Sequence, residues 1–118
     1  MAVNNSLSDL LPDMKQRVMN VIDFLNIHNI PLKLYETRRT GERQKELVEK
    51  GYSKTLKSKH LTGEAADFVV NIDGKWSWDY ERYKLCYTLY GEIAKYFGLE
   101  WGGDWRTFKD YPHIQLRR

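Results

Sequence analysis

The sequence predicts an α+β domain, with a small, mainly antiparallel sheet packed by about three helices. Three observations predict it. Segments with apolar residues at three- and four-residue steps alternate with short extended-looking runs, in the order α-β-α-β-α-β. Asp73-Gly74 suits a tight hairpin turn between antiparallel strands. A length of 118 residues with 42% hydrophobic content and four tryptophans supports one core, so residues 1–118 are read as a single domain.

Ser8 to Asn26 reads as an amphipathic helix, with Leu11, Met14, Val18, Val21, Ile22 and Leu25 on one face. Ser8 or Asp9 is the candidate N-cap, and Pro12 is tolerable in a first turn. His28, at the end of this helix, suits a capping position at the negative pole of the dipole rather than a ligand role. Leu32 to Thr37 alternates and predicts a strand. Glu42 to Lys50 predicts a short helix stopped at Gly51. Ser53 to Leu61 reads as a polar loop, and Ala65 to Val70 as a strand running into the turn Asn71 to Lys75. Asp79 to Phe97 predicts the longest helix, capped by Gly98. Trp101 to Trp105 reads as a loop and His113 to Leu116 as the last strand. The tryptophans 76, 78, 101 and 105 are expected mostly to pack the core, with Trp101 and Trp105 also placed to wall a groove.

Composition narrows the functional classes. No run approaches the ~18 apolar residues of a membrane span, so no stable membrane insertion is expected. Met1 to Leu11 lacks a basic region followed by an apolar one, so no secretory signal is expected. The single Cys86 excludes an intramolecular disulfide and reads as a buried thiol, consistent with synthesis in a reducing cytoplasm. The net charge of +3 is mild. Arg38, Arg39, Arg43, Lys45, Lys54, Lys57 and Lys59 form either a solvated face or an attraction for an anionic polymer. Nucleic acid is not the expected partner.

Chemistry concentrates in two segments. Ser58-Lys59-His60-Leu61-Thr62-Gly63-Glu64-Ala65-Ala66-Asp67 and Asp110-Tyr111-Pro112-His113 hold two of the three histidines. His60, Asp67 and His113 could supply the three protein ligands of a zinc site with an open fourth position; the plain alternative makes His60 a surface loop residue and Asp67 the partner of an arginine. Such a site acidifies water from a pKa of ~15.7 to ~7. Asp67 lies within an apolar strand, where an unpaired charge is costly and metal ligation would resolve the cost. Gly63 can turn His60 back over Asp67. Asp110 is placed to act as a general base; its plain alternative is a turn residue before Pro112. Arg39 can stabilise developing negative charge on a carbonyl or grip a carboxylate. Arg38 is the alternative, because neighbouring strand side chains face opposite ways.

The pattern Ser58-x-His60-x-x-Gly63-x-Ala65-x-Asp67, closed by Asp110-x-x-His113, resembles the zinc signature of D-alanyl-D-alanine carboxypeptidase-like (VanY-type) metallopeptidases. Arg39-Thr40 with Gln44, and Trp101-Gly102-Gly103-Asp104-Trp105, are similar to the branch of phage endolysin L-alanyl-D-glutamate endopeptidases. The resemblance implies zinc on His60, Asp67 and His113, Asp110 as general base, and Arg39 steadying the substrate carbonyl. Ser58, Gln44 and Trp105 are expected near substrate. It implies a peptidoglycan stem peptide as substrate and the L-Ala–D-Glu bond as target. A monomer made in the cytoplasm and released to the wall by a holin or lysis system fits this pattern. With no room for a separate wall-binding domain, targeting is expected from the catalytic domain itself. The competing readings are a D,D-carboxypeptidase or dipeptidase at the same site, and a non-catalytic zinc-containing wall-binding module.

Overall fold

The computed structural model describes residues 3–117. Its regular elements are α1 (Pro12–Ile27), β1 (Leu32–Glu36), α2 (Gly41–Glu49), β2 (Ala65–Ile72), β3 (Lys75–Ser77), α3 (Lys84–Tyr96), β4 (Leu99–Trp101) and β5 (His113–Leu116), with short 3-10 turns at Leu7–Asp9, Lys59–Thr62 and Gly102–Asp104. The sheet is antiparallel throughout, in the order β1-β2-β5-β4, and β3 also pairs with β2. The α+β architecture with three helices is the one the periodicity predicts.

β2 is the axis of the molecule. Its first six residues are all buried. Side chains two apart share a face, so Ala66, Phe68 and Val70 point one way and Ala65, Asp67 and Val69 the other. The first set joins the main core with Met14, Val18, Val21 and Leu25 of α1 and Tyr87, Tyr90 and Ala94 of α3. The second set lies on the opposite face, which the 59–62 turn helps to cover. An apolar run buried on both faces needs no polar alternation, and this is why the β2 signal was continuous.

Several boundaries differ from the sequence reading. Residues Leu7–Asp9 form a separate 3-10 turn, and α1 begins at Pro12 behind Leu11, which makes no side-chain cap. Proline at the first helical position resets the start, because its missing N–H is one the helix leaves unpaired anyway. α3 begins at Lys84 rather than Asp79; Asp79 instead accepts from the backbone N–H groups of Arg82 and Tyr83, making a turn. Trp101, at the start of the segment that reads as loop, instead closes a strand, β4. Cys86 is half-buried rather than buried. Trp76 and Trp78 are not core residues; both set their rings edge-on to Tyr35, at 5.0 and 5.1 Å. His28 caps α1 and lies against Phe24, with ring centroids 4.5 Å apart.

Gly63 joins the 59–62 turn to β2. Its φ is +74°, and an added Cβ would stand 2.8 Å from the Asp9 carbonyl oxygen. The Gly63 carbonyl accepts from the Leu11 N–H at 3.0 Å, so the backbone cannot easily shift. Gly63→Ala should therefore lose at least the ~1–2 kcal/mol of a left-handed non-glycine residue. Urea denaturation measures this; wild-type stability in the variant would show that the turn has room to relax.

Candidate active site

His60, Asp67 and His113 converge on the face of β2 away from the helical core, and one potential ligand atom from each lies within 4.8 Å of the others. Register does half of this work: Asp67 on β2 faces His113 on β5 directly. The 3-10 turn does the rest. Ser58 caps it by accepting from the His60 N–H at 3.2 Å, which returns the His60 ring over the strand.

Each imidazole is oriented by its far nitrogen. His60 Nδ1 sits 2.6 Å from the Thr37 carbonyl oxygen, which can only accept, so Nδ1 carries the proton. His113 Nε2 lies 2.8 Å from Gln115 Oε1 and donates to it in the same way. With the rings neutral, His60 Nε2 and His113 Nδ1 both present lone pairs to one oxygen, Asp67 Oδ1, at 3.2 and 3.3 Å. Three acceptors facing one another call for a cation or a proton between them. Zinc bonds of ~2.0–2.2 Å in tetrahedral geometry set ligand atoms about 3.3–3.6 Å apart. The donor set suits such an ion and the two spacings to Asp67 Oδ1 are close to this range; the carbonyl and amide behind the histidines are the kind of support that metal-binding imidazoles have.

The other oxygen of Asp67 belongs to Arg39, whose Nη2 donates to Oδ2 at 3.0 Å. Arg39, not Arg38, therefore faces the centre; Arg38 is exposed and donates to the Leu61 carbonyl. The Arg39 guanidinium also donates to Glu36 Oε1 at 2.9 Å and Gln44 Oε1 at 3.0 Å. At most one of its five N–H groups is left for a substrate oxygen. Gln44 spends its NH2 on Ser53 Oγ and the Thr55 carbonyl. Ser58 acts on the backbone of His60. Trp105 packs its ring against His113, 5.2 Å between centroids, and donates to Glu100. Gln44, Ser58 and Trp105 thus support the residues around the centre, and Trp101 belongs to the core with its N–H on the Tyr111 carbonyl.

Asp110 stands at the edge of the centre, its Oδ2 4.0 Å from His113 Nδ1, with about a third of the side chain (35%) exposed. Gly102 makes this placement possible: the Asp110 N–H donates to its carbonyl at 3.0 Å, and a Cβ there would lie 2.3 Å from the Asp110 oxygen. Partial burial and the Asp67 charge push the Asp110 carboxyl up to about 6. Burial also pushes Asp67 upwards, but His60 and His113 outweigh it and hold that carboxyl well below the usual range. A groove of about 610 Å³ opens over Asp67 and Asp110, walled by Arg43 of α2, by Lys50 at its C-cap, and by the aromatic rings of Tyr35, Tyr52, Trp78 and Tyr111. The sequence reading missed three contributors: the Thr37 carbonyl, the buried Glu36 and the groove wall at Trp78. Only Glu36 left a signal, as a carboxylate in step with Leu32 and Leu34.

A profile of the family described as phage L-alanyl-D-glutamate peptidase matches residues 2–117. The chain belongs to this family. It is similar to the L-alanyl-D-glutamate peptidase of Listeria phage A118, 36% identical over 111 residues, a match covering 94% of this chain and 39% of that protein. It is also similar to the peptidoglycan L-alanyl-D-glutamate endopeptidase of Bacillus subtilis (strain 168), 35% identical over 124 residues and covering 92% and 74% of the two chains. The chain thus spans about two-fifths of the length of the phage relative. Among solved structures, the Serratia marcescens L-Ala D-Glu endopeptidase ChiX superposes with a TM-score of 0.73 at 36% identity, over 94% of this chain and 83% of that one. A vancomycin-resistance D,D-pentapeptidase, VanY, solved with Zn(II), shares the fold at a TM-score of 0.65 and 19% identity, over 91% and 72%.

Burial pulls the His113 imidazole down, but the Asp67 carboxylate beside it more than compensates, leaving its pKa above the ordinary 6.5. A divalent cation must displace that proton. Metal affinity should therefore rise about tenfold per pH unit until the pH passes the His113 pKa, and then level off. Calorimetric titration between about pH 5 and 8 tests this. A flat profile would mean that no proton is displaced from the site.

Proposed function

We propose that this chain is a zinc-dependent peptidoglycan hydrolase that cleaves the stem peptide at the L-Ala–D-Glu bond. The observation that carries the proposal is the pair of oriented imidazole lone pairs aimed at one carboxylate oxygen, beside a groove that also holds Asp110. Membership of the peptidase family supports the choice of substrate. His60, Asp67 and His113 are the zinc ligands in this reading. Zinc held there supplies a Lewis acid that polarises the scissile carbonyl and makes a nearby water acidic.

The remaining steps belong to the protein. Asp110 accepts the proton of the attacking water and delivers it to the departing D-Glu amine, as a general base and then acid. Without a cation its pKa is about 6, and a cation lowers it, so Asp110 is ionised at neutral pH and ready to take the proton. Arg39 holds Asp67 in place and offers its remaining N–H to the substrate oxygen. The aromatic walls of the groove shield the reacting bond from bulk water. Among the described residues no helix is long and apolar enough to cross a membrane. Synthesis in the cytoplasm, a monomeric state and release to the wall through a holin-type lysis system are part of the same proposal.

Digestion of soluble muropeptides, with products read by mass spectrometry, tests the reaction. Chelator-sensitive release of a fragment beginning at D-Glu is expected. Release of terminal D-Ala would instead assign a D,D-carboxypeptidase, and binding without cleavage a wall-binding module.

Asp110→Ala should lower kcat/KM by about 10²–10⁴-fold while zinc content stays equimolar; full activity in this variant would remove Asp110 from the mechanism. Because Asp110 must be ionised to accept a proton, wild-type kcat/KM should fall as the pH drops, with a midpoint no higher than about 6. A bound cation nearby can only draw that midpoint lower. With zinc held saturating, an acid limb centred well above this value would point to another base.

A further inference from the structure

We propose that Glu36 is a positioning residue of the metal centre, holding Arg39 on Asp67 Oδ2 while preserving the negative charge of the ligand. This rests on the zinc reading above. Glu36 is only 2% exposed, at the end of β1. Leu34 pairs with Phe68 and Glu36 with the next residue, Asp67, so β1 carries one extra residue at Tyr35. Such a bulge re-aims the side chain that follows it, and here it sets a buried carboxylate beside the ligand carboxylate. Two anions at this spacing repel unless cations lie between them.

Arg39 is that cation. Its Nε and Nη2 both lie 2.9 Å from Glu36 Oε1, and Nη2 reaches Asp67 Oδ2 at 3.0 Å. Arg43 takes the second oxygen of Glu36 at 3.2 Å and also Glu46 at 3.1 Å. Exposed Lys50 also reaches Glu46, at 3.9 Å, so Glu46 has a partner of its own and the buried pair Glu36 and Asp67 shares Arg39. Without Glu36, Arg39 would neutralise Asp67 alone, and the ligand would attract a cation less strongly. With Glu36, Arg39 is already compensated. It can then orient Asp67 through Oδ2 and leave the charge on Oδ1 available to the centre. An aliphatic residue continuing the Leu32–Leu34 pattern would fill the space without this balance.

The test is Glu36→Gln, which keeps the shape and one acceptor oxygen but removes the charge. Zinc affinity, read by competition with a chromophoric chelator on protein shown to be folded by circular dichroism, should weaken about 10–100-fold, the usual effect of losing an outer-shell partner. The loss should shrink in an Arg39→Gln background, because Glu36 acts through Arg39. Equal zinc affinity in Glu36→Gln and wild type would overturn the inference and leave the zinc reading intact; a wild type that binds no zinc would sink both. If Glu36→Gln does not fold, Arg43→Gln gives the complementary measurement. Removing that charge makes the cluster around Glu36 more negative, so zinc affinity should rise, and an unchanged or weaker affinity would overturn the proposal.

Discussion

The constraint on which the rest of the structure depends is the burial of the Asp67 carboxylate. β2 is covered on both faces, and a charge placed there must be answered from every side. Two imidazoles answer one oxygen and a guanidinium the other. Each of these groups then needs its own support. Thr37 and Gln115 fix the histidines, Glu36 and Gln44 fix Arg39, and Gln44 secures the 53–55 loop. The polar side of the molecule is thus a hierarchy of satisfied partners built outward from one carboxylate. No buried side-chain nitrogen or oxygen among the described residues lacks a partner.

The helical side anchors the same strand mechanically. Tyr87 of α3 donates to the Ser77 carbonyl and accepts from the Val70 N–H, fixing β2 against β3. Tyr90 reaches through the sheet edge to the Pro112 carbonyl at 2.6 Å, and the Phe68 N–H shares that acceptor. The segment carrying Asp110 and His113 is therefore held from the core. Burial pushes the Tyr90 hydroxyl well above its usual pKa, so it stays a donor at any pH at which the protein works.

Much of this was legible in the sequence. The periodicity of α1 and α3, the apolar run of β2 and the Asp73-Gly74 hairpin gave the architecture, because each is a local pattern with a single fitting conformation. The convergence of His60, Asp67 and His113 was legible because ligand-type residues are few and their spacing is restrictive. The supports were not. The Thr37 carbonyl is a backbone atom, and any residue would supply it. The bulge at Tyr35 has no residue signature, so the proximity of Glu36 to Asp67 could not be read from alternation. β4 is three residues long, too short for a pattern, and is a strand only because β5 lies beside it.

The alternation along β2 divides labour by parity. Odd-numbered residues from Ala65 to Val69 face the chemistry, and even-numbered residues from Ala66 to Val70 face the helices. Substitutions in one set leave the other in place, so the strand can drift in sequence on either side. A change in length is different. Inserting or deleting a single residue between Ala65 and Asp67 exchanges the two faces for everything that follows. A carboxylate would then lie among tyrosines, and a phenyl ring would turn to the ligand face. The chain can accordingly vary in letters along this strand, but its reading frame of faces cannot slip.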